Sequence, residues 1–178
     1  MNIHGIETDS MTNGDGLRVV LWVSGCSHHC KGCHNPQTHD PESGFKFELE
    51  HLRMLYEELE KDYVAGITFS GGDPLYIENR MQIQGLAMDI KRRFPDKTIW
   101  LYTGYKWEDI SHFISHLEIL KYIDVLVDGR FVEELASINY PWAGSTNQRV
   151  IDVQRSLKEG QVILWESDKG ERWNNERN

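Results

Sequence analysis

The chain is poor in thiols. It has three cysteines in 178 residues, Cys26, Cys30 and Cys33, and all fall within SGCSHHCKGCHNP at 24–36. Three thiols cannot all pair, so a disulfide framework is excluded and the close spacing points to a metal or to catalysis. Nor does the sequence contain an apolar run long enough to cross a bilayer, or a basic-then-apolar opening segment. The expectation is a cytoplasmic protein without a membrane partner. Positive charge is scarce as well: 19 Lys and Arg against 28 Asp and Glu give a net charge of -9. Nucleic-acid binding needs clustered cations. The one basic cluster, Lys91-Arg92-Arg93, ends a predicted helix, where cations suit the helix dipole. No nucleic-acid partner is expected. Nucleotide fingerprints are missing too. Gly14-x-Gly16 precedes a strand, whereas a dinucleotide-binding glycine loop must follow one, and no Walker A sequence occurs.

What is present alternates between two periodicities. Leu17–Val23, Ile67–Phe69, Thr98–Tyr102, Ile123–Val127 and Arg149–Val153 are β-branched and aromatic and predict strands. Phe47–Tyr63, Ile77–Phe94 and Trp107–Leu120 place apolar residues at helical spacing, the last through Ile110, Phe113, Ile114 and Leu117. A short helix is predicted from Val132. No repeat or linker divides the chain, which predicts a single domain over 1–178 with a polar, loose tail from about residue 155. Strand–helix alternation implies parallel strands joined by right-handed crossovers. Five or six such units are too few to close an eight-stranded barrel. The predicted fold is therefore α/β: an open, incomplete (β/α) barrel of about five or six parallel strands with outer helices.

Four of these strands run into small and polar residues: Ser24-Gly25-Cys26, Ser70-Gly71-Gly72-Asp73-Pro74, Thr103-Gly104-Tyr105 and Asp128-Gly129-Arg130. Glycine caps many turns, which accounts for any one of them. In parallel α/β folds such ends gather on one edge, where ligands bind, and four together with a cysteine loop favour a shared site. The cysteine spacing is C-x3-C-x2-C. A structural zinc site closes with four ligands, so here the fourth would be a histidine such as His28, His29, His34 or His39. Ferredoxin clusters take four cysteines. A cubane iron–sulfur cluster held at three corners fits better and leaves one iron open to a substrate.

C-x3-C-x2-C is the signature of the radical S-adenosylmethionine enzymes, and the sequence resembles that family beyond the loop. Asn13-Gly14-Asp15-Gly16, Ser24-Gly25-Cys26, Cys33-His34-Asn35, Ser70 to Leu75 (SGGDPL), Ile99 to Lys106 (IWLYTGYK), Val125 to Gly129 (VLVDG) and Gly144 to Arg149 (GSTNQR) are similar to its branch of anaerobic ribonucleotide reductase activating proteins. The blocks span about residues 3–153. Three positions depart from the common pattern: Gly32 stands where an aromatic residue is frequent, His34 where Tyr is, and Asp15 where Pro is.

The resemblance implies that Cys26, Cys30 and Cys33 hold one [4Fe–4S] cluster whose fourth iron takes the amino and carboxylate groups of S-adenosylmethionine. It implies that Gly71, Gly72 and Asp73 meet the methionine end, with Asp73 adding negative charge nearby, and that Gly32, Cys33 and His34 contact the adenine. The less favoured reading of His34 is an exposed loop residue or a stray metal ligand. Thr103, Tyr105 and Asp128 are secondary candidates for cofactor contacts; Trp100 and Tyr102 read as core; Asn147, Gln148 and Arg149 close the rim or face the partner. No catalytic side chain is implied, because the cofactors carry the chemistry. The implied activity is reductive cleavage of S-adenosylmethionine to a 5′-deoxyadenosyl radical. That radical takes a glycine hydrogen from the large subunit of anaerobic ribonucleoside-triphosphate reductase, with reduced flavodoxin or ferredoxin as electron donor. The alternatives are another small radical enzyme acting on a metabolite, a zinc-binding module, and an electron carrier. On this reading Gly72→Val weakens S-adenosylmethionine binding and leaves iron content nearly intact.

Overall fold

Alternating β-branched residues build a sheet with two different faces. The computed structural model describes residues 1–112 and 118–166. Among these, the strands are β1 (Asn2–Ser10), β2 (Leu17–Val23), β3 (Phe45–Lys46), β4 (Val64–Gly71), β5 (Thr98–Tyr102), β6 (Val125–Asp128) and β7 (Arg149–Asp152). They form one seven-stranded sheet in the order β3-β1-β2-β4-β5-β6-β7. The helices are α1 (Leu49–Leu59), α2 (Arg80–Arg93), α3 (Trp107–His112) and α4 (Val153–Glu159). Residues 113–117 of the predicted third helix, with Phe113, Ile114 and Leu117, lie outside the described residues, and residues 118–120 are helical.

The prediction of five or six parallel strands needs correction. β2, β4, β5 and β6 pair in parallel, but β1 and β7 pair antiparallel with β2 and β6. The fold is a mixed α/β sheet, parallel in its middle and flanked by helices. Strand direction follows the connection. The β2–β4 and β4–β5 crossovers carry α1 and α2, whereas β1 turns straight into β2 through residues 11–16 and β7 is reached by a helix-poor loop. Two strands, β1 and β3, had no predicted counterpart.

One face carries Val19, Leu21, Ile67, Phe69, Ile99, Leu101, Leu126 and Ile151, all buried beneath the apolar stripes of the helices. In α2 that stripe is Ile83, Leu86, Ala87 and Ile90, an i, i+3, i+4, i+7 set. The opposite face gathers Trp100, Val125 and Val127 with Tyr102, Trp142, Val150 and Trp165 packed on them. Arg18 is buried on this side. Its guanidinium donates to Thr68 Oγ1, Thr98 Oγ1 and the carbonyls of Asp15, Ile67 and Thr98. Burial lowers its pKa to about 10. The basic cluster at the end of α2 is paired: Lys91 with Asp124, and Arg92 and Arg93 with Asp89.

The parallel strands end together. Val23 lies beside Gly71, Phe69 beside Leu101, and Tyr102 beside Val127. The four glycine-rich ends therefore share one edge of the sheet, as their pattern suggests.

Candidate metal centre

The cysteine loop leaves β2 at that edge and is tied down at once. Gly25 and Cys26 donate their N–H groups to the carbonyls of Thr38 (2.8 Å) and His39 (3.0 Å), and Cys33 N–H closes a turn on Cys30 O at 3.2 Å. All three thiols are free and half-buried. Burial raises the Cys26 thiol to about 11 and also raises Cys30. Backbone N–H groups oppose that: His28 and His29 on the Cys26 sulfur, Phe131 on Cys30. Asn35 N–H reaches Cys33 Sγ at 3.4 Å. Such N–H donors stabilise thiolates and are the outer contacts metal–sulfur sites use. Among the described residues, no three His, Cys, Asp or Glu side chains are arranged around a single ion. A cubane spreads its ligands over a larger body, and three thiolates from one loop suit it. The donor set thus fits a [4Fe–4S] cluster held by Cys26, Cys30 and Cys33.

The Gly71-Gly72-Asp73 turn is pressed against this loop. Gly72 N–H donates to Val23 O at 2.7 Å, and Asp73 N–H to Gly25 O at 2.8 Å. A Cβ on Gly72 would lie 2.5 Å from Gly25 O and 2.9 Å from Thr38 O. The glycine is required by the floor of the cysteine loop. A side chain there displaces the cysteine loop itself, so Gly72→Val is expected to lower iron content as well, where the sequence alone suggested a loss confined to S-adenosylmethionine binding. Asp73 is buried, and its carboxylate accepts from Thr103 Oγ1 (2.9 Å to each oxygen), Leu75 N–H (2.8 Å), Gly104 N–H (3.1 Å) and the ring of His28 (2.7 Å). Its role on these contacts is to join strand ends. Asn79 was not singled out by the sequence. It is buried, and its amide donates to Ser24 O (2.7 Å) and Asp73 O (3.0 Å), bridging the ends of β2 and β4.

The segment after β6 closes the other side. His34 meets Phe131 edge to face at 5.3 Å, and Lys31 pairs with Glu133 at 2.9 Å. Gly32 has φ 69°, a backbone conformation that favours glycine over an aromatic residue, and a Cβ there would lie 2.8 Å from the movable Glu133 carboxylate. GSTNQR holds this segment in place. Gln148 donates to Gly129 O and accepts from Gly144 and Ser145 N–H, while Asn147 donates to Arg130 O. Asp128 is used internally as well. It is buried and accepts from Trp107 N–H and from Arg149, which also grips Glu108 at 2.8 and 2.9 Å. Thr103 and Tyr105 do adjoin the loop, Thr103 through Asp73 and Tyr105 through His28. Asn13 to Gly16 lies at the opposite, amino-terminal edge, between β1 and β2.

A cleft of about 640 Å³ opens beside Cys26, lined by Ser27, His29, Pro36, His39, Pro41 and Tyr76 among others. None of Gly32, His34, Gly71, Gly72 or Asp73 lines it, so it is not the position implied for S-adenosylmethionine.

Three clustered cysteine thiols stand at the carboxyl edge of the parallel strands, and residues 12–151 match the family described as a 4Fe-4S single cluster domain, which places the chain in the class of iron–sulfur proteins. Full-length relatives narrow this. The chain is 45% identical over 150 residues (84% of this chain, 93% of the relative) to the anaerobic ribonucleoside-triphosphate reductase-activating protein of Enterobacteria phage T4. Proteins of the same name from Vibrio cholerae (39% over 150 residues; 83% and 96%) and Escherichia coli K12 (38% over 152 residues; 84% and 97%) are similar to it along the same length. The chain belongs to the family of anaerobic ribonucleoside-triphosphate reductase-activating proteins.

Proposed function

We propose that this chain activates an anaerobic ribonucleoside-triphosphate reductase by generating a glycyl radical on its large subunit. The observation that carries the proposal is the donor set: three cysteine thiols in one loop, supported by backbone N–H groups, in a chain of this family. Cys26, Cys30 and Cys33 would hold the [4Fe–4S] cluster, with Gly71 and Gly72 at the methionine end of S-adenosylmethionine and Gly32, Cys33 and His34 at its adenine. When bound and reduced, the cluster supplies the electron that cleaves S-adenosylmethionine to methionine and a 5′-deoxyadenosyl radical.

The chain's own residues do the positioning. Asp73 fixes the ends of β4 and β5 and the middle of the cysteine loop, so the two sides of the site keep one spacing. Asn147 and Gln148 hold the segment whose Phe131 and Glu133 face the loop. The carboxyl edge of the parallel strands, where the cysteine loop sits, is where a glycine-bearing loop of the large subunit would enter. The electron donor is a reduced flavodoxin or ferredoxin, and the working compartment is the cytoplasm. No helix among the described residues is long and apolar enough to cross a membrane.

The test is anaerobic reconstitution followed by incubation with S-adenosylmethionine, reductant and the reductase large subunit. The expected results are about four irons and four sulfides per chain, 5′-deoxyadenosine, and a glycyl-radical signal on the large subunit. One zinc and no cluster, or 5′-deoxyadenosine with no radical on the reductase, refutes the proposal. Cys30→Ala leaves two thiolates and is expected to abolish 5′-deoxyadenosine formation; cleavage at the wild-type rate would show that Cys30 is not a ligand.

A further inference from the structure

Two segments that touch the cysteine loop, one at each end of it, hold an apolar side chain out into solvent. The first follows β4, and the second runs from β6 to β7, which pair at Asp128 and Arg149. Both leave from the carboxyl edge of the parallel strands. Ile77, on the first, is 64% exposed, and Ile138, on the second, is 99% exposed. A lone exposed aliphatic residue is ordinary on a protein surface. These two stand on turns that are tied to buried residues.

Ile77 lies in the turn that the N–H groups of Asn79 and Arg80 close on Tyr76 O. Asn79 is buried, and its amide holds Ser24 O and Asp73 O. Tyr76 packs on the stem of the cysteine loop, where a Cβ on Gly25 would lie 2.7 Å from its ring. Ile138 lies near the tip of a finger, residues 135–146. Thr146 N–H donates to Leu135 O (2.9 Å) and Ser137 N–H to Gly144 O (3.1 Å), and Ala136 bridges to Ser145. The tip is pinned to the body: Trp142 meets the buried Trp100 edge to face at 5.8 Å, and the Tyr140 hydroxyl donates to Gln148 O at 3.0 Å. Trp142 has φ 61°, a conformation that a bulky residue adopts only at a cost. The base of the finger meets the far end of the cysteine loop through Phe131 on His34 and Glu133 on Lys31. Leu135, where the finger begins, is exposed as well.

A loose loop would turn such side chains away from water. On these fixed backbones they are presented. The reaction names what covers them. Hydrogen abstraction brings the reacting atoms to about 3–3.5 Å, so the protein that carries the glycine must close over the edge that lies between Ile77 and Ile138.

We infer that Ile77 and the finger with Leu135 and Ile138 are the apolar contacts on which the large subunit of the reductase seats, one at each end of the cysteine loop. The inference rests on the function proposed above and names the surface that function uses.

The test measures anaerobic binding of the large subunit to the reconstituted full-length chain, and 5′-deoxyadenosine formed without the large subunit. Ile77→Asp and Ile138→Asp are each expected to weaken binding by about tenfold or more, the worth of one buried aliphatic side chain. Formation of 5′-deoxyadenosine without the large subunit stays at the wild-type level, which shows that the site is intact. Met54→Asp puts the same charge at an exposed apolar position of α1 and is expected to bind as the wild type does. Wild-type affinity in either isoleucine variant overturns the contact at that end of the loop. An equal loss in Met54→Asp overturns the inference by assigning the effect to charge alone. Isoleucine variants that bind the large subunit normally but take electrons slowly from reduced flavodoxin, or that convert a dimer to a monomer, give the surface to the electron donor or to a second copy, and overturn it too. A wild-type chain that forms 5′-deoxyadenosine and does not bind the large subunit sinks the proposed function and this inference together. One that binds it through these residues and takes up no cluster sinks the proposed function alone.

Discussion

A methyl group at position 72 has no space to occupy, because the backbone carbonyls of Gly25 and Thr38 stand 2.5 and 2.9 Å from where it would sit. Backbone atoms cannot rotate aside as a side-chain end can, so the loop must move. Gly72→Ala is expected to destabilise the chain by about 1–3 kcal/mol, the usual range for overpacking, and to lower iron content in parallel. Thermal unfolding and iron per chain after reconstitution measure both; a variant with normal iron and weakened S-adenosylmethionine binding would restore the cofactor-only role for this glycine. At this scale the sequence discloses what is local. The three thiols lie within eight residues of one another and were readable from spacing. The Asp73–His28 and Asn79–Ser24 bonds cross 45 and 55 residues. No local signal marks them, since a loop histidine or a helix-flanking asparagine looks the same whether buried or exposed.

Among the elements, α2 offers a clean comparison. Gly85 lies inside the helix, and a Cβ there would meet nothing within 4 Å. Glycine in a helix interior is less favourable than alanine by up to about 1 kcal/mol. Gly85→Ala should therefore raise stability by close to that amount and leave iron content and 5′-deoxyadenosine formation unchanged. Unfolding in denaturant checks the first, and a fall in either of the others would give the groove that Gly85 lines with Leu52, Tyr56 and Leu86 a role in the site. The central strands were legible because burial on both faces makes them continuous β-branched runs, as in β2 and β6. β1 was not. NIHGIETDS is mostly half-exposed and pairs with the two-residue β3 on its outer side, so its pattern is polar and irregular. The direction of β7 was not legible either, since periodicity reports which residues face the core and says nothing of which way the chain runs.

Across the whole molecule, two contacts join regions far apart in sequence. The first, Arg149 with Glu108, contributes to acid stability, as does Tyr56 with Asp89. Hydrogen bonds from Arg149 hold Glu108 down to about 2, and the Tyr56 hydroxyl does the same for Asp89. Each folded value lies below its ordinary value of 4.5 or 3.8. Their stabilisation is thus present above those values and is lost as pH falls toward about 2. Arg149→Met removes the Glu108 share and leaves Asp128 without its cation, so it lowers Tm at neutral pH. Its deficit against the wild type is expected to narrow between about pH 5 and about pH 2; a constant deficit across that interval would show that Glu108 does not contribute. The second contact closes the chain on itself. The segment after α4, for which no element was predicted, returns to the sheet. Leu164 bridges to Ile151, and Trp165 N–H donates to Val150 O at 2.8 Å. The Trp165 ring meets Trp100 edge to face at 5.9 Å and its Nε1–H donates to Asp15 Oδ2 at 2.7 Å, 150 residues away. This indole covers the face opposite the helices beside Trp100. Trp165→Ala is expected to cost about 2–4 kcal/mol, near the range for losing a large core side chain, with Trp165→Phe recovering the packing but not the bond to Asp15. Iron content should be normal in both, because the contact lies away from the cysteine edge. Loss of iron without loss of stability in Trp165→Ala would mean that the two edges of the sheet are coupled.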